Sequence, residues 1–204
     1  TLAGGAILVT TSGDLSSQDL ANVTLTLNGA TTLVDHNDDL PLSIDADSNA
    51  ITVGDDLNVT GVTLTQLGTV SVNASKTLTI SAAQADGETL TGTGTVAVTA
   101  LEGDLAANLS GLHADLTTTA ALNSTGNVAL EAAANLTNVD TINISGDGTV
   151  TAHADATLGG GTYAVGSDAT LSLTATHADG LTANGDGTVA VTALEGDLAA
   201  NLSG

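Results

Sequence analysis

Four oxygen-bearing side chains stand close together early in the chain: "DADSNAITVGDD", residues 45–56, places Asp45, Asp47 and Asn49 at alternating positions and Asp56 a short loop later. Alternating oxygens in a tight loop are how a chain wraps a hard cation, so Asp45, Asp47, Asn49 and Asp56 form a candidate calcium site. The pattern departs from the full calcium loop at two places. Ala50 occupies the position where glycine turns the chain, and Asp56 the position where a bidentate glutamate closes the shell. An acidic, solvated loop is the competing reading. "DHNDD" at 35–39 is a second oxygen cluster of the same kind.

Histidine offers a different chemistry. "HAD" begins at His113, His153 and His177, and His and Asp two apart on a strand share a face, where stacked copies could form a metal ladder or an acid–base pair. Gln84, in "QAD", takes the place equivalent to His177, so the imidazole is replaceable and a corner motif accounts better for the word. Nucleophile elbows, phosphate loops and zinc helices are absent from the sequence. A polysaccharide lyase needs a cation to stabilise an enolate-like charge, and Lys76 is the one basic residue in the chain. Catalysis is therefore not expected, and a carbohydrate-active β-helix enzyme is the weakest alternative. Paired outward threonines (Thr24 with Thr26, Thr63 with Thr65, Thr77 with Thr79) suggest an ice-binding face, although the intervals vary. Eight Asn-x-Ser/Thr sites, at Asn22, Asn58, Asn73, Asn108, Asn123, Asn135, Asn143 and Asn201, are glycan acceptors if the chain is secreted.

The elements that carry these residues repeat. "GTVAVTALEGDLAANLSG" fills 94–111 and returns unchanged at 187–204; the wider stretches 77–111 and 170–204 share 26 of 35 positions, a period of 93 residues. Inside it runs a finer rhythm of apolar-x-apolar words: "VSV" from 70, "LTI" from 78, "VAV" from 96, "VAL" from 128, "INI" from 142, "VTA" from 150, "LSL" from 171 and "VAV" from 189. Period-two alternation with β-branched residues is a strand signature, and "GDG", "ADG" and "GTG" between the words supply corners. A strand and a corner every twenty or so residues predict an all-β parallel solenoid of short strands and Gly/Asp corners. Tandem β-sandwich modules are the alternative, since 93 residues also suit one sandwich. In 101–116 the leucines at 101, 105, 109, 112 and 116 have helical spacing and Thr99 with Glu102 has the form of a capping box, but Gly103, Asn108, Ser110 and Gly111 oppose it. A helical turn and a broad Leu-rich corner both remain open there. The chain divides as 1–76, an irregular β segment continuous with the solenoid; 77–169, one full repeat; and 170–204, the start of the next.

Composition agrees. Val, Leu and Ile number 51, while Phe, Trp, Met and Cys are absent and Tyr163 is the lone aromatic, which favours a thin core of uniform width. A formal charge of −22 repels phosphate backbones and anionic headgroups, excluding nucleic acid as a partner, and asks for screening by salt or divalent cations. No apolar run is long enough to insert in a membrane. Starting at Thr1 and ending inside a repeat copy, the sequence reads as a piece of a longer chain.

With "LTATHADGLTANGDGTVAVTALEGDLAANLSG" and its earlier counterpart, the sequence resembles the Gly/Thr/Asp-rich β-strand repeats of large bacterial cell-surface and secreted proteins, adhesin-like or surface-layer-like, over about 70–204. The resemblance implies an extracellular or cell-surface location, many such units in series and frequent calcium dependence; the glycine-rich nonapeptide "GGxGxD" of one calcium-binding class is absent. The expected function is structural and non-catalytic: a repeat segment of an adhesin, fibre or surface layer, associating with itself or with neighbouring repeats of the same chain and able to build filaments. A calcium- or ice-binding module is the alternative.

Overall fold

In the computed structural model the described backbone covers residues 2–9, 24–35 and 43–192. All eight apolar-x-apolar words lie in strands. The elements run β1 (Leu2–Val9), β2 (Thr24–Asp35), β3 (Ser43–Asp45), β4 (Ile51–Val53), β5 (Leu57–Asn58), β6 (Thr63–Thr65), β7 (Val70–Val72) and β8 (Thr77–Ser81). A one-turn helix α1 (Ala82–Ala85) follows, then β9 (Leu90–Gly92), β10 (Thr95–Thr99) and a 3₁₀ turn at Leu101–Gly103. Next come β11 (Thr117–Ser124), β12 (Val128–Leu130), β13 (Thr141–Gly146), β14 (Thr149–Ala152), β15 (Thr162–Val165) and β16 (Thr170–Thr174). A second one-turn helix α2 (Ala175–Ala178) precedes β17 (Thr182–Asn184) and β18 (Thr188–Thr192).

Every strand pairing among the described residues is parallel, and none joins strands adjacent in sequence except β1–β2, β2–β3 and β10–β11. The protein is a parallel β-solenoid of about eight turns, which excludes antiparallel sandwiches. Its strands form three sheets. The first has the order β6-β3-β2-β4-β7-β9 with β1 also on β2, the second β17-β15-β13-β11-β10-β8-β5, and the third β12-β14-β16-β18.

Register shows how one coil lies on the next. The inward residues Ile80, Val98, Ala120, Ile142, Tyr163 and Ala183 succeed one another in the second sheet, spaced 18, 22, 22, 21 and 20 residues apart. Between them sit outward residues: Thr79, Ala97, Thr119, Thr141, Thr162 and Thr182 form the parallel outer column. Alternation therefore does what period two requires, with one column dry and one wet. Tyr163 is fully buried, and its hydroxyl donates to the Leu158 carbonyl at 2.6 Å. Burial raises the phenol above its ordinary range, so the ring stays neutral.

Glycine permits the tightest contacts between coils. A Cβ on Gly148 would collide with the Gly126 carbonyl oxygen, and one on Gly161 with that of Val139. Ladders cross both proposed boundaries without a break: β5 pairs β8 across residue 76, and β14 pairs β16 across residue 169.

The two copies of the repeat keep their elements but change their sheet. β8, α1, β9 and β10 of the first copy correspond to β16, α2, β17 and β18 of the second. Yet β8 and β10 belong to the second sheet and β16 and β18 to the third, while β9 lies in the first and β17 in the second. Ile80 shifted by 93 residues is Leu173, which falls midway between Tyr163 and Ala183 of the ladder that Ile80 begins. The unit thus spans four full coils and one further side. Through residue 192, equal letters occupy equal local structure on successive sides of the column.

Candidate functional site

Three of the four candidate calcium ligands, Asp45, Asn49 and Asp56, bond to the backbone through their side chains. Asp45, at the end of β3, accepts the Asp47 N–H through Oδ1 (3.1 Å) and the Gln66 amide from one coil along (3.3 Å). This is an Asx turn, and it holds Asp47 and Ser48 at φ 46° and 60°. Asn49 donates to the Ala46 carbonyl at 2.9 Å. Asp56 precedes β5 in a different sheet, where its Oδ1 accepts the Thr77 N–H at 2.7 Å. Asp45 and Asp56 therefore serve separate corners. Among the described residues no group of three or more His, Asp or Glu side chains is placed to hold a metal ion. Residues 36–39 of the second oxygen cluster lie outside the described residues, as does Pro41.

The three "HAD" words divide. His113 and His153 are exposed at corners, each taking the N–H of the Asp two residues on through Nδ1, at 3.3 and 3.1 Å. His177 instead sits in α2, with Nε2 3.0 Å from the Ala156 carbonyl of the coil below. Gln84 holds the same place in α1, where its amide donates to the Val59 and Val62 carbonyls at 2.7 and 2.6 Å. Glutamine and histidine exchange here because both can donate to a carbonyl one coil away. The exchange is incomplete. Gln84 Oε1 also accepts the Ser81 N–H (2.9 Å) while Ser81 Oγ accepts the Gln84 N–H (3.3 Å), a closed capping box. In α2 Thr174 caps His177 at 3.2 Å, but Nδ1 of His177 is buried without a partner.

The capping box whose form Thr99 and Glu102 have does not close. Ala100 turns left-handed (φ 54°), so the helical spacing ends in a three-residue 3₁₀ turn, and Leu101, Leu109, Leu112 and Leu116 are buried at successive corners. Thr99 and Glu102 both bond to neighbouring coils: the Thr99 hydroxyl donates to the Ile80 carbonyl at 3.3 Å, and Glu102 accepts the Asn123 N–H at 2.8 Å.

Those two bonds belong to a wider set that sequence reading missed. Asp86 accepts the Asn108 N–H (2.8 Å), Asn127 the Thr149 N–H (3.3 Å) and Asp140 the Thr118 N–H (2.7 Å), each between residues 22 apart. Lys76, the lone base, meets Asp55 at 2.8 Å across 21 residues, and that hydrogen bond raises the ammonium above its usual range. Thr118 is buried in a column otherwise filled by Leu57, Leu78 and Val96. Its hydroxyl accepts the Asp140 N–H at 2.9 Å and lies within reach of the Asn138 carbonyl for its own proton. Where a ladder ends, a backbone N–H is left over; a carboxylate one coil away accepts it.

The Asn-x-Ser/Thr spacing has a related origin at three positions. Asn58, Asn108 and Asn135 each accept both the N–H and the hydroxyl of the residue two further on, with hydroxyl distances of 2.8, 2.7 and 2.6 Å. The flanking pairs Val59/Val62, Leu109/Leu112 and Leu136/Val139 are buried, so the word Asn-apolar-Ser/Thr-x-apolar is a corner. Asn22 and Asn201 lie outside the described residues.

No family model, curated protein or solved structure matches the chain.

Proposed function

We propose that the chain is a non-catalytic structural repeat segment of an extracellular adhesin, fibre or surface layer, made to stack with further units of its own kind. One observation carries the reading: acidic and amide side chains bond at a separation of one coil, from Asp45 with Gln66 to Asn127 with Thr149, so polar chemistry is spent on holding coils in register. The high negative charge then acts as a solubilising, salt-screened coat, with sodium or calcium as counter-ions along the sides.

Magnitudes refine what such a segment does. A coil advances by the strand spacing, about 4.8 Å, so 93 residues lengthen the column by only about 20 Å. What the solenoid adds is stiffness and continuous flat sides. Appending one, two and three further 93-residue units to the full chain and imaging by electron microscopy tests this: length should grow by about 20 Å per unit at constant width. Strings of separate beads would sink it.

A second reading, an ice-binding side, is favoured by the outer column Thr79, Ala97, Thr119, Thr141, Thr162 and Thr182 on the second sheet. Thermal hysteresis in a freezing-point assay is its test, and its absence at millimolar protein removes it.

A further inference from the structure

Residues 187–192 repeat 94–99 letter for letter, so β18 and β10 are the same strand, TVAVT, in two settings. On one edge the settings agree. β10 lies on β8 from Thr95 opposite Thr77 to Thr99 opposite Ser81, and β18 lies on β16 from Thr188 opposite Thr170 to Thr192 opposite Thr174. On the other edge they differ. β10 carries β11, from Thr95 opposite Thr117 to Val98 opposite Ala120, whereas β18 has no second neighbour among the described residues.

The consequence is visible in the core. Val96 is 0 % exposed, while its counterpart Val189 is 42 % exposed and is the one large apolar side chain so exposed among the described residues. Backbone groups follow the same division. In a parallel ladder alternate residues bond to opposite neighbours, and the Thr188 N–H donates to the Ala169 carbonyl on the β16 side. Val189 and Val191 therefore direct their N–H and C=O groups to the open edge.

We propose that β18 is an acceptor edge for the first coil of a further 93-residue unit, and that the strand it takes has the sequence of β11, set in parallel with the counterpart of Thr117 opposite Thr188. The occupant is read from the molecule itself, because β10 shows which strand completes TVAVT when its other edge is already filled. A covalently continuing unit is favoured over a free second copy because each chain carries a formal charge of −22, and tethering supplies the local concentration that repulsion between separate chains removes. This inference deepens the structural reading above and rests on it.

The test extends the full chain after Gly204 with the sequence of residues 112–130, which follow Gly111 in the first copy. Hydrogen exchange is followed at residues 188–192 with and without the extension, and again with Val191→Pro, which removes an outward N–H and leaves the bonds to β16 intact. The Val189 and Val191 amides should slow by about 100-fold or more in the extended chain, and Val191→Pro should abolish the slowing at Val189. Equal exchange in the two chains overturns the proposal. So does protection that rises with concentration in the unextended chain, which would give the edge to a second copy. Neither result alters the length measured by electron microscopy, so the structural reading stands or falls separately.

Discussion

At the scale of single residues the two repeat copies act as a natural mutagenesis experiment. His177 has Nε2 on the Ala156 carbonyl; a carbonyl only accepts, so Nε2 holds the hydrogen and the buried Nδ1 is left with nothing to accept. Gln84 in the first copy meets both demands. His177→Gln should therefore stabilise the protein by about 1 kcal/mol, read as a rise in midpoint in urea denaturation; a lower midpoint would refute the equivalence. Glu88 gives a pH-dependent case. Partial burial, and next the charge of Asp86, raise its carboxyl above the usual range. A raised folded value means that the stability Glu88 contributes is complete below the unfolded pKa and is lost as pH rises through the folded one. Glu88→Gln should accordingly raise the melting temperature at pH 7 and leave it unchanged at pH 3. A rise of the same size at both values would assign the effect to packing.

At the scale of elements, stability depends on how closely corners stack. Gly148 lies so near the Gly126 carbonyl that a methyl group has no room, whereas a Cβ on Gly103 meets nothing within 4 Å. Gly148→Ala should cost about 3 kcal/mol or more by prising β12 from β14, and Gly103→Ala should change stability by less than about 0.5 kcal/mol, both measured by denaturant unfolding. Similar losses for the two would mean that the corners are not in contact. Strands were legible in the sequence because alternation is local: "INI" at 142 and "LSL" at 171 need no knowledge of their neighbours to be read as half-buried. Corners were legible where glycine marked them, as at Gly87 (φ 69°) and Gly146 (φ 92°), and in the word "HAD", whose His113 and His153 stand at corners. The helical turns α1 and α2 were missed, although Ser81 and Gln84 have the spacing of a capping box, because four residues are too few to show a period. Asp56, Asp86 and Asp140 were harder still. Each bonds to an N–H 21 or 22 residues away, and until coil length is known residue by residue, nothing in the sequence says which amide a carboxylate will meet. The sequence likewise does not show that Asp45 and Asp56 belong to two corners.

At the scale of the whole molecule, what matters is that the repeat and the coil do not share a period. Four coils from Ile80 reach Tyr163, and the remaining ten residues to Leu173 carry the second copy from the second sheet to the third. β9 and β17 make the same single step, from the first sheet to the second. Because the chain visits the first sheet before the second and the second before the third, each added unit turns every surface feature onward by one side. In the early coils a turn has three sides, carried by β3, β4 and β5 in succession. A chain of several units should then display any given residue as a winding track, each step rising about 20 Å and turning by the one side that separates Leu173 from the ladder of Ile80. A cysteine at the exposed Asn143 and at its counterpart in two appended units, labelled with gold and imaged by cryo-electron microscopy, would show three particles winding around the column. Particles along one side would mean that longer chains change their coil length to restore a common face. The winding follows from geometry alone, and it determines what the column can do: an array built this way presents every copy of a patch to a different direction, which suits cohesion within a three-dimensional matrix better than binding along one flat surface.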